Sequence, residues 1–314
     1  MLHIDKIYIN GEFVTPHGSE TFALFNPATE EVIGQARLAD EEDARRAIAA
    51  AKAAFPCWSR TTKQQRLDVL ERMYQAVRAR EADLREAIVT EYGAPASRSQ
   101  WMAAWPAQTI KQAMETLASF EFVEPAGRAQ VVMTPVGVAG LITPWNSDAG
   151  FICSKLATAM AAGCTAVIKP SEMSAWQTQI VTEALHAAQI PAGVVNIVTG
   201  RGDVVGDIIN HHPDIAKISF TGSTAVGKHI IASGAQTLKR VTLELGGKSP
   251  TLILDDADTQ QAVALAIESG RVLVNTLEHE PQAPFGGFRQ SGLGREMGKW
   301  GMQAYLEPKT VMVG

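Results

Sequence analysis

Cysteine is scarce in this chain of 314 residues: Cys57, Cys153 and Cys164 are the whole complement. An odd count without CxxC spacing excludes complete pairing, so free thiols in a reducing cytoplasm are the expectation. Long apolar runs are missing as well. The longest uncharged one, LATAMAAGCTAVI (156–168), is too short to span a bilayer, and the opening MLHIDKIYIN carries charge where a secretory leader would be apolar. There is no excess of one charge. The net value is −5 with both signs scattered, so neither a nucleic-acid nor an anionic-membrane surface is expected. Internal repeats and low-complexity tracts are absent too, apart from a Gly- and Pro-rich loop, TLEHEPQAPFGGFRQSGLGREMG (276–298).

What remains is ordinary globular composition, 46% hydrophobic and 19% charged, in a chain long enough for two packed domains or one large domain with an appendage. The first part reads as short strands followed by long amphipathic helices. Asp40 is placed to cap DEEDARRAIAAAKAAF, whose acidic first turn suits the helix dipole. KQQRLDVLERMYQAVRAR and ADLREAIVTEYG continue the helical pattern, and Gly93 and Pro95 stop it. RAQVVMTP and VGVAGLITPW read as strands divided by a Pro-Gly break. CTAVIKP, VVNIVTG, IAKISFTG and RVTLELGG then alternate with helical segments, a rhythm that implies parallel pairing through right-handed crossovers. The fold class expected is α/β, a doubly wound, Rossmann-like parallel sheet with N-terminal helices. Ligands of such sheets bind beyond the carboxyl ends of the strands.

Those ends carry the suggestive residues: TPWN (143–146), KPSE (169–172), TGRG (199–202) and TGSTAVG (221–227). The last two set glycines between strand and helix, where backbone N–H groups can hold a pyrophosphate, although neither is a GxGxxG and a plain tight turn would look the same. Glu172 is placed to accept two ribose hydroxyls, which would favour NAD over NADP, or to serve only as a helix N-terminal acid. Glu244 in LELGGKSP ends an apolar strand, where burial would raise its pKa toward the range of a general base; a strand-end acid bonded to backbone is the alternative. Asn146 offers an amide N–H for an oxyanion, or an Asx turn. His211 and His212 lack metal-ligand spacing and read as solvated.

In their order, PWN, KPSE, FTGSTAVG, LELGGKSP, PFGGFRQSGLGRE and AYLEPKTV resemble the aldehyde dehydrogenase superfamily over nearly the whole chain. The resemblance implies oxidation of aldehydes to carboxylic acids with NAD or NADP, through a cysteine thiolate, hydride transfer and a glutamate-activated water. It makes Asn146 the side-chain half of an oxyanion hole and Glu244 the general base. It makes Trp145, Lys169, Glu172, Gly222 and Ser223 cofactor contacts, Gly202 and Gly227 close-approach glycines, and Leu245 and Gly246 neighbours of the nicotinamide. The cofactor implied is NAD, with NADP less favoured.

Two departures matter. Ser147-Asp148 follows the asparagine where the family has an aromatic and a proline, which leaves the nicotinamide-side wall open to question. More seriously, no cysteine follows Cys164. Onward from Glu244, where the family keeps its nucleophile, stand Leu277, Glu278 and His279. AVALAI (262–267) resembles the helix leading toward the cysteine loop, and ESGRVLVN (268–275) a strand near the far end of the catalytic domain. Most of the catalytic domain is therefore expected to be absent between them. The division implied is 1–125 for the N-terminal helical part of the cofactor domain, 126–140 for an oligomerisation arm, 141–267 for the Rossmann-like core, and 268–314 for a catalytic-domain remnant with a C-terminal oligomerisation strand. Cys153 and Cys164 read as buried packing thiols. The expectation is a folded core with negligible aldehyde oxidation, an aldehyde substrate only by ancestry, and a perturbed homo-oligomer; a catalytically inactive NAD-binding or assembly module is the alternative.

Overall fold

The computed structural model describes residues 1–247, 254–258, 260, 269–273, 276 and 280–312. The readings of AVALAI and of Leu277, Glu278 and His279 lie outside the described residues. Of ESGRVLVN, residues 269–273 are described and belong to no strand.

The chain opens with β1 (Leu2–Ile4), β2 (Ile7–Ile9), β3 (Glu12–Val14), β4 (Thr21–Phe25) and β5 (Val32–Arg37). Helices α1 (Glu41–Trp58), α2 (Lys63–Arg78), α3 (Glu81–Ala87) and α4 (Ala96–Ser119) follow. The expected cap of α1 is present: the Asp40 carboxylate accepts from the backbone N–H of Glu42 and Asp43, satisfying donors the helix itself leaves open. Gly93 stops the third helical stretch in the left-handed region at φ 77°, where a Cβ would stand 2.7 Å from Pro27. Sequence reasoning missed α4. It begins after Pro95 without a side-chain cap and carries Pro106 inside it, and both features mask its pattern.

Next come β6 (Val123–Ala126), β7 (Ala129–Pro135), β8 (Val138–Ile142), α5 (Asp148–Ala162), β9 (Thr165–Lys169), α6 (Ala175–Ala187), β10 (Val195–Ile197), α7 (Asp207–His211), β11 (Ile215–Thr221), α8 (Thr224–Gly234) and β12 (Arg240–Glu244). A two-residue β13 (Gly292–Leu293), α9 (Gly298–Gln303) and β14 (Leu306–Val311) end the described chain.

The main sheet runs β13-β12-β11-β8-β9-β10-β2-β3, with the five strands from β12 to β10 parallel to their neighbours. Both faces of these strands are covered, which is why they read as apolar runs without alternation; all residues of β8 and β9 are buried. The chain starts in the middle at β8, moves out to β9 and β10, and crosses back to add β11 and β12 on the other side of β8. The order reverses between β8 and β11, and such a switch point opens a crevice at the strand ends. The α/β doubly wound architecture is thus as expected. The antiparallel hairpin β2–β3 joined to the β10 edge is an addition.

Two smaller sheets flank this core. One is β1-β5-β4; the other is β14-β7-β6, in which Leu306 pairs with Pro135 and Val311 with Gln130. The second contains the arm RAQVVMTP together with the KTV of the C-terminal strand. The core strand β8 starts at Val138, within the span 126–140 read as arm. Helix α5, buried almost throughout, packs against α4, and Gly150 lets the Trp105 ring lie where a Cβ would be only 2.0 Å away.

Candidate functional site

A cleft of about 1000 Å³ opens at the switch point. Its walls are the turn after β8 (Thr143, Pro144, Trp145, Asn146), Lys169 at the end of β9, the segment Gly202–Asp207, the turn Thr221–Ser223 with the start of α8, and Glu244–Gly246 after β12. Each wall is a strand end, so the position of the cleft follows from the topology.

Glu244 sits at the end of β12, in register with Thr221 of β11. One carboxylate oxygen of Glu244 and the hydroxyl of Thr221 are buried without a hydrogen-bond partner among the described residues. Unpaired buried polar atoms at the edge of a cleft are places where a ligand or water can complete the bonding. Burial pushes the Glu244 carboxyl up to about 8, the nearby Glu296 charge adds to that, and Lys155 and Arg295 oppose it. Glu296 is itself held by the buried Lys155, whose Nζ donates to it at 2.6 Å and to Ser219 at 3.0 Å. Sequence reasoning missed this pair. The only available signal was a lone lysine within the apolar helix DAGFICSKLATAMAA.

Trp145 and Asn146 are exposed on the opposite wall, and the Ser174 hydroxyl donates to the Trp145 carbonyl at 2.7 Å. Lys169 is 5% exposed and donates to the Glu172 carboxylate at 3.1 Å. Ser223 caps α8, accepting from the Val226 N–H. Around Gly202 a Cβ would meet nothing within 4 Å, so the backbone there borders open space.

Trp145, Asn146, Lys169, Gly202, Gly222, Ser223, Glu244, Leu245 and Gly246 therefore line one cleft. Glu172 stands behind, joined through Lys169. Gly227 stands apart from the lining: it is buried on α8, and a Cβ there would lie 2.5 Å from the Leu245 side chain. The Ser147-Asp148 departure also has an outcome. Ser147 takes the left-handed conformation at φ 58°, and Asp148 turns inward and is 0% exposed, so neither lines the cleft. His211 and His212 lie outside it, and each is paired with a nearby aspartate, as surface histidines commonly are.

No cysteine lines the cleft. Cys57 is exposed on α1, while Cys153 and Cys164 are fully buried. Burial raises both of these thiols, that of Cys164 to about 11, which keeps them protonated and inert.

The features fit a dinucleotide: a crevice at a switch point, a helix N-terminus, an open backbone glycine and a lysine–carboxylate pair at a strand end. A model of the aldehyde dehydrogenase family matches the chain in two pieces, residues 13–269 and 261–311. The chain belongs to the aldehyde dehydrogenase family. It is 40% identical over 273 residues to a 3-succinoylsemialdehyde-pyridine dehydrogenase of a Pseudomonas species, a match covering 86% of this chain and 57% of that one. A putative aldehyde dehydrogenase of Staphylococcus saprophyticus is 39% identical over 277 residues, covering 88% of this chain and 58% of its own. The chain thus spans about half the length of the curated relatives it matches. Among solved structures, a mutant of aldehyde dehydrogenase C from Pseudomonas syringae in complex with NAD+ and octanal matches at 26% identity and a TM-score of 0.92, over 98% of this chain and 96% of that one. An aldehyde dehydrogenase from Bartonella henselae matches at 37% identity and a TM-score of 0.79, over 84% and 56%. In this member of the family the two matched pieces meet at residues 261–269, where the sequence passes from AVALAI toward ESGRVLVN.

Among the described residues no helix is long and apolar enough to cross a membrane, and no cluster of side chains is suited to hold a metal ion.

Proposed function

We propose that this chain is a dinucleotide-holding member of the aldehyde dehydrogenase family that does not oxidise aldehydes. One observation carries the reading: the cleft keeps Asn146 and Glu244 on its walls but has no thiol, and the two core cysteines are buried elsewhere. NAD supplies a hydride acceptor when bound. The chain's own residues divide the remaining work. The start of α8 and the Gly202 backbone face the phosphates, where N–H groups and the helix dipole favour negative charge. Lys169 borders the end of the cleft suited to the adenosine ribose, and the Glu172 carboxylate, paired to it from behind, adds negative charge that would disfavour a 2′-phosphate, so NAD is preferred to NADP. Trp145, Leu245 and Gly246 border the nicotinamide end. Asn146 and Glu244 stand ready to donate to an oxyanion and to hold a proton, but without a nucleophile neither has a covalent step to assist. In a comparable machine, loss of the nucleophile alone has cost on the order of a million-fold in turnover.

An ancestry among enzymes of aldehydes is supported by the name of one relative, a 3-succinoylsemialdehyde-pyridine dehydrogenase. The sheet β14-β7-β6 has strand edges at β6 and β14, and a homo-oligomer formed through them would lack the partner surface of a full catalytic domain. A cytoplasmic setting agrees with the free thiols.

The experiment is calorimetric titration of the purified chain with NADH, followed by an assay for NADH formation from an aldehyde and NAD. Micromolar binding without turnover is the expected result. Turnover at an ordinary rate would overturn the loss of catalysis, and absence of binding to the folded protein would overturn the cofactor reading.

A further inference from the structure

Asp148 ends the TPWNSD stretch fully buried and apart from the cleft, and its hydrogen bonds pose a problem of proton count. Thr143 Oγ1 donates to Asp148 Oδ1 at 2.5 Å. Thr178 Oγ1, on α6, lies 2.9 Å from Asp148 Oδ2 and 2.9 Å from the Ser174 carbonyl. A threonine hydroxyl has a single proton, and a carbonyl can only accept. Both contacts of Thr178 are full two-centre hydrogen bonds, and not halves of one shared proton, only if Asp148 Oδ2 itself carries a proton and donates it. The chain of donors then runs from Asp148 to Thr178 to the Ser174 carbonyl. Ser174 in turn donates from its own hydroxyl to the Trp145 carbonyl. The ring closes on the turn after β8, with Thr143 and Trp145 held at two points and Asp148 at the start of α5.

The surroundings agree. Asp148 is 0% exposed, and burial pushes its carboxyl up to about 7. The charged groups acting on it are Glu91, which raises it further, and Lys169 at the end of β9, which lowers it. Its own helix contributes the buried Cys153, α6 and the turn after β8 face it with the Thr178 and Thr143 hydroxyls, and α4 reaches this turn of α5 with Trp105. Glu91 is likewise pushed up to about 7 by burial while accepting from the N–H groups of Trp176 and Gln177.

We propose that Asp148 is a positioning residue of the cofactor cleft, a neutral carboxylic acid that donates to Thr178, accepts from Thr143, and so fixes the turn presenting Trp145 and Asn146. On ionisation the Thr178 proton must serve either the carboxylate or the Ser174 carbonyl, the ring opens, and the turn loosens. Cofactor affinity therefore falls as pH rises through neutrality. The binding readout rests on the reading of the cleft as a dinucleotide site, whereas the protonation readout does not.

The test compares the natural chain with Asp148→Asn and Asp148→Ala. An asparagine amide is neutral at every pH and can donate to Thr178 while accepting from Thr143. NADH titrations from pH 6 to pH 9 should show the natural chain losing about tenfold in affinity, the worth of one hydrogen bond. In a Glu91→Gln background, which silences the other carboxyl raised to about 7, Asp148→Asn should lose the step near neutrality and keep only the later one that belongs to Glu244 in the cleft. Asp148→Ala should bind about tenfold more weakly even at pH 6. A neutral-range step that persists in Asp148→Asn on the Glu91→Gln background, or unchanged binding by Asp148→Ala, would overturn the proposal. If none of the three binds NADH at any pH, the cofactor reading fails, and the infrared difference between the natural chain and Asp148→Asn decides Asp148 alone. A protonated-carboxyl band that converts to carboxylate across neutrality supports the latch, and a carboxylate band throughout overturns it.

Discussion

Replacing Glu244 by glutamine should stabilise this protein, and more so the higher the pH. The carboxyl is pushed from an ordinary 4.5 up to about 8 by burial and by Glu296. A group whose folded pKa is raised binds its proton more tightly in the folded state. Stability is then fully present below the unfolded pKa and is lost as pH rises through the folded one, here between about 4.5 and about 8. Within that window the slope is about 1.4 kcal/mol per pH unit, so at pH 7 the native glutamate costs about 3 kcal/mol as a ceiling. Partial exposure of the side chain brings the working figure nearer 1–2 kcal/mol, roughly. Glutamine mimics the neutral acid in size and shape and cannot ionise. Thermal melts of the two proteins should nearly coincide at the acid end and separate by several degrees, about 2 °C per kcal/mol, near pH 8. Melts that stay parallel from pH 5.5 to 8.5, or a glutamine variant less stable at pH 8, would refute the argument that this carboxylate is desolvated.

Two glycines should respond in opposite ways. Gly202→Val should leave the melt unchanged, since a side chain there enters open space, but weaken NADH binding by about tenfold or more through collision with the ligand; Gly150→Ala should destabilise by about 1–3 kcal/mol through collision with Trp105, read by denaturant unfolding. Alkylation of the native protein should modify Cys57 alone, with Cys153 and Cys164 reacting only on unfolding; peptide mass mapping checks this, and fast native labelling of either would reopen the search for a nucleophile.

The parallel core was legible because a strand buried on both faces must be apolar and β-branched and must end where glycine or proline can turn the chain. CTAVIKP, VVNIVTG, IAKISFTG and RVTLELGG meet both conditions, and the cleft follows from their ends. Helix α4 was not legible, since Pro106 interrupts its pattern and no side chain caps it. The inward turn of Asp148 was hidden for a different reason: Ser147-Asp148 reads locally only as a departure at the nicotinamide-side wall, and nothing nearby shows that the hydroxyls of Thr143 and Thr178, five and thirty residues away, converge on the aspartate. Gly227 shows how a motif hides packing. A glycine in a motif was read as ligand approach, while the space it leaves is filled by Leu245.

The contact between Lys155 and Glu296 joins residues 141 positions apart, and the hydrogen bond from Thr134 to the Glu307 carbonyl in the β14–β7 pair spans 173. Consider a nascent chain in which residues 285–311 have not yet emerged. Its α5 would have to bury an ammonium without the Glu296 carboxylate that pairs with it, a costly state for that helix to settle into on the sheet. Contacts of such sequence separation form late, because the loop they close is long. The parallel core, although its strands are consecutive, is therefore expected to wait for the tail before it sets, so the last residues made complete the core laid down before them.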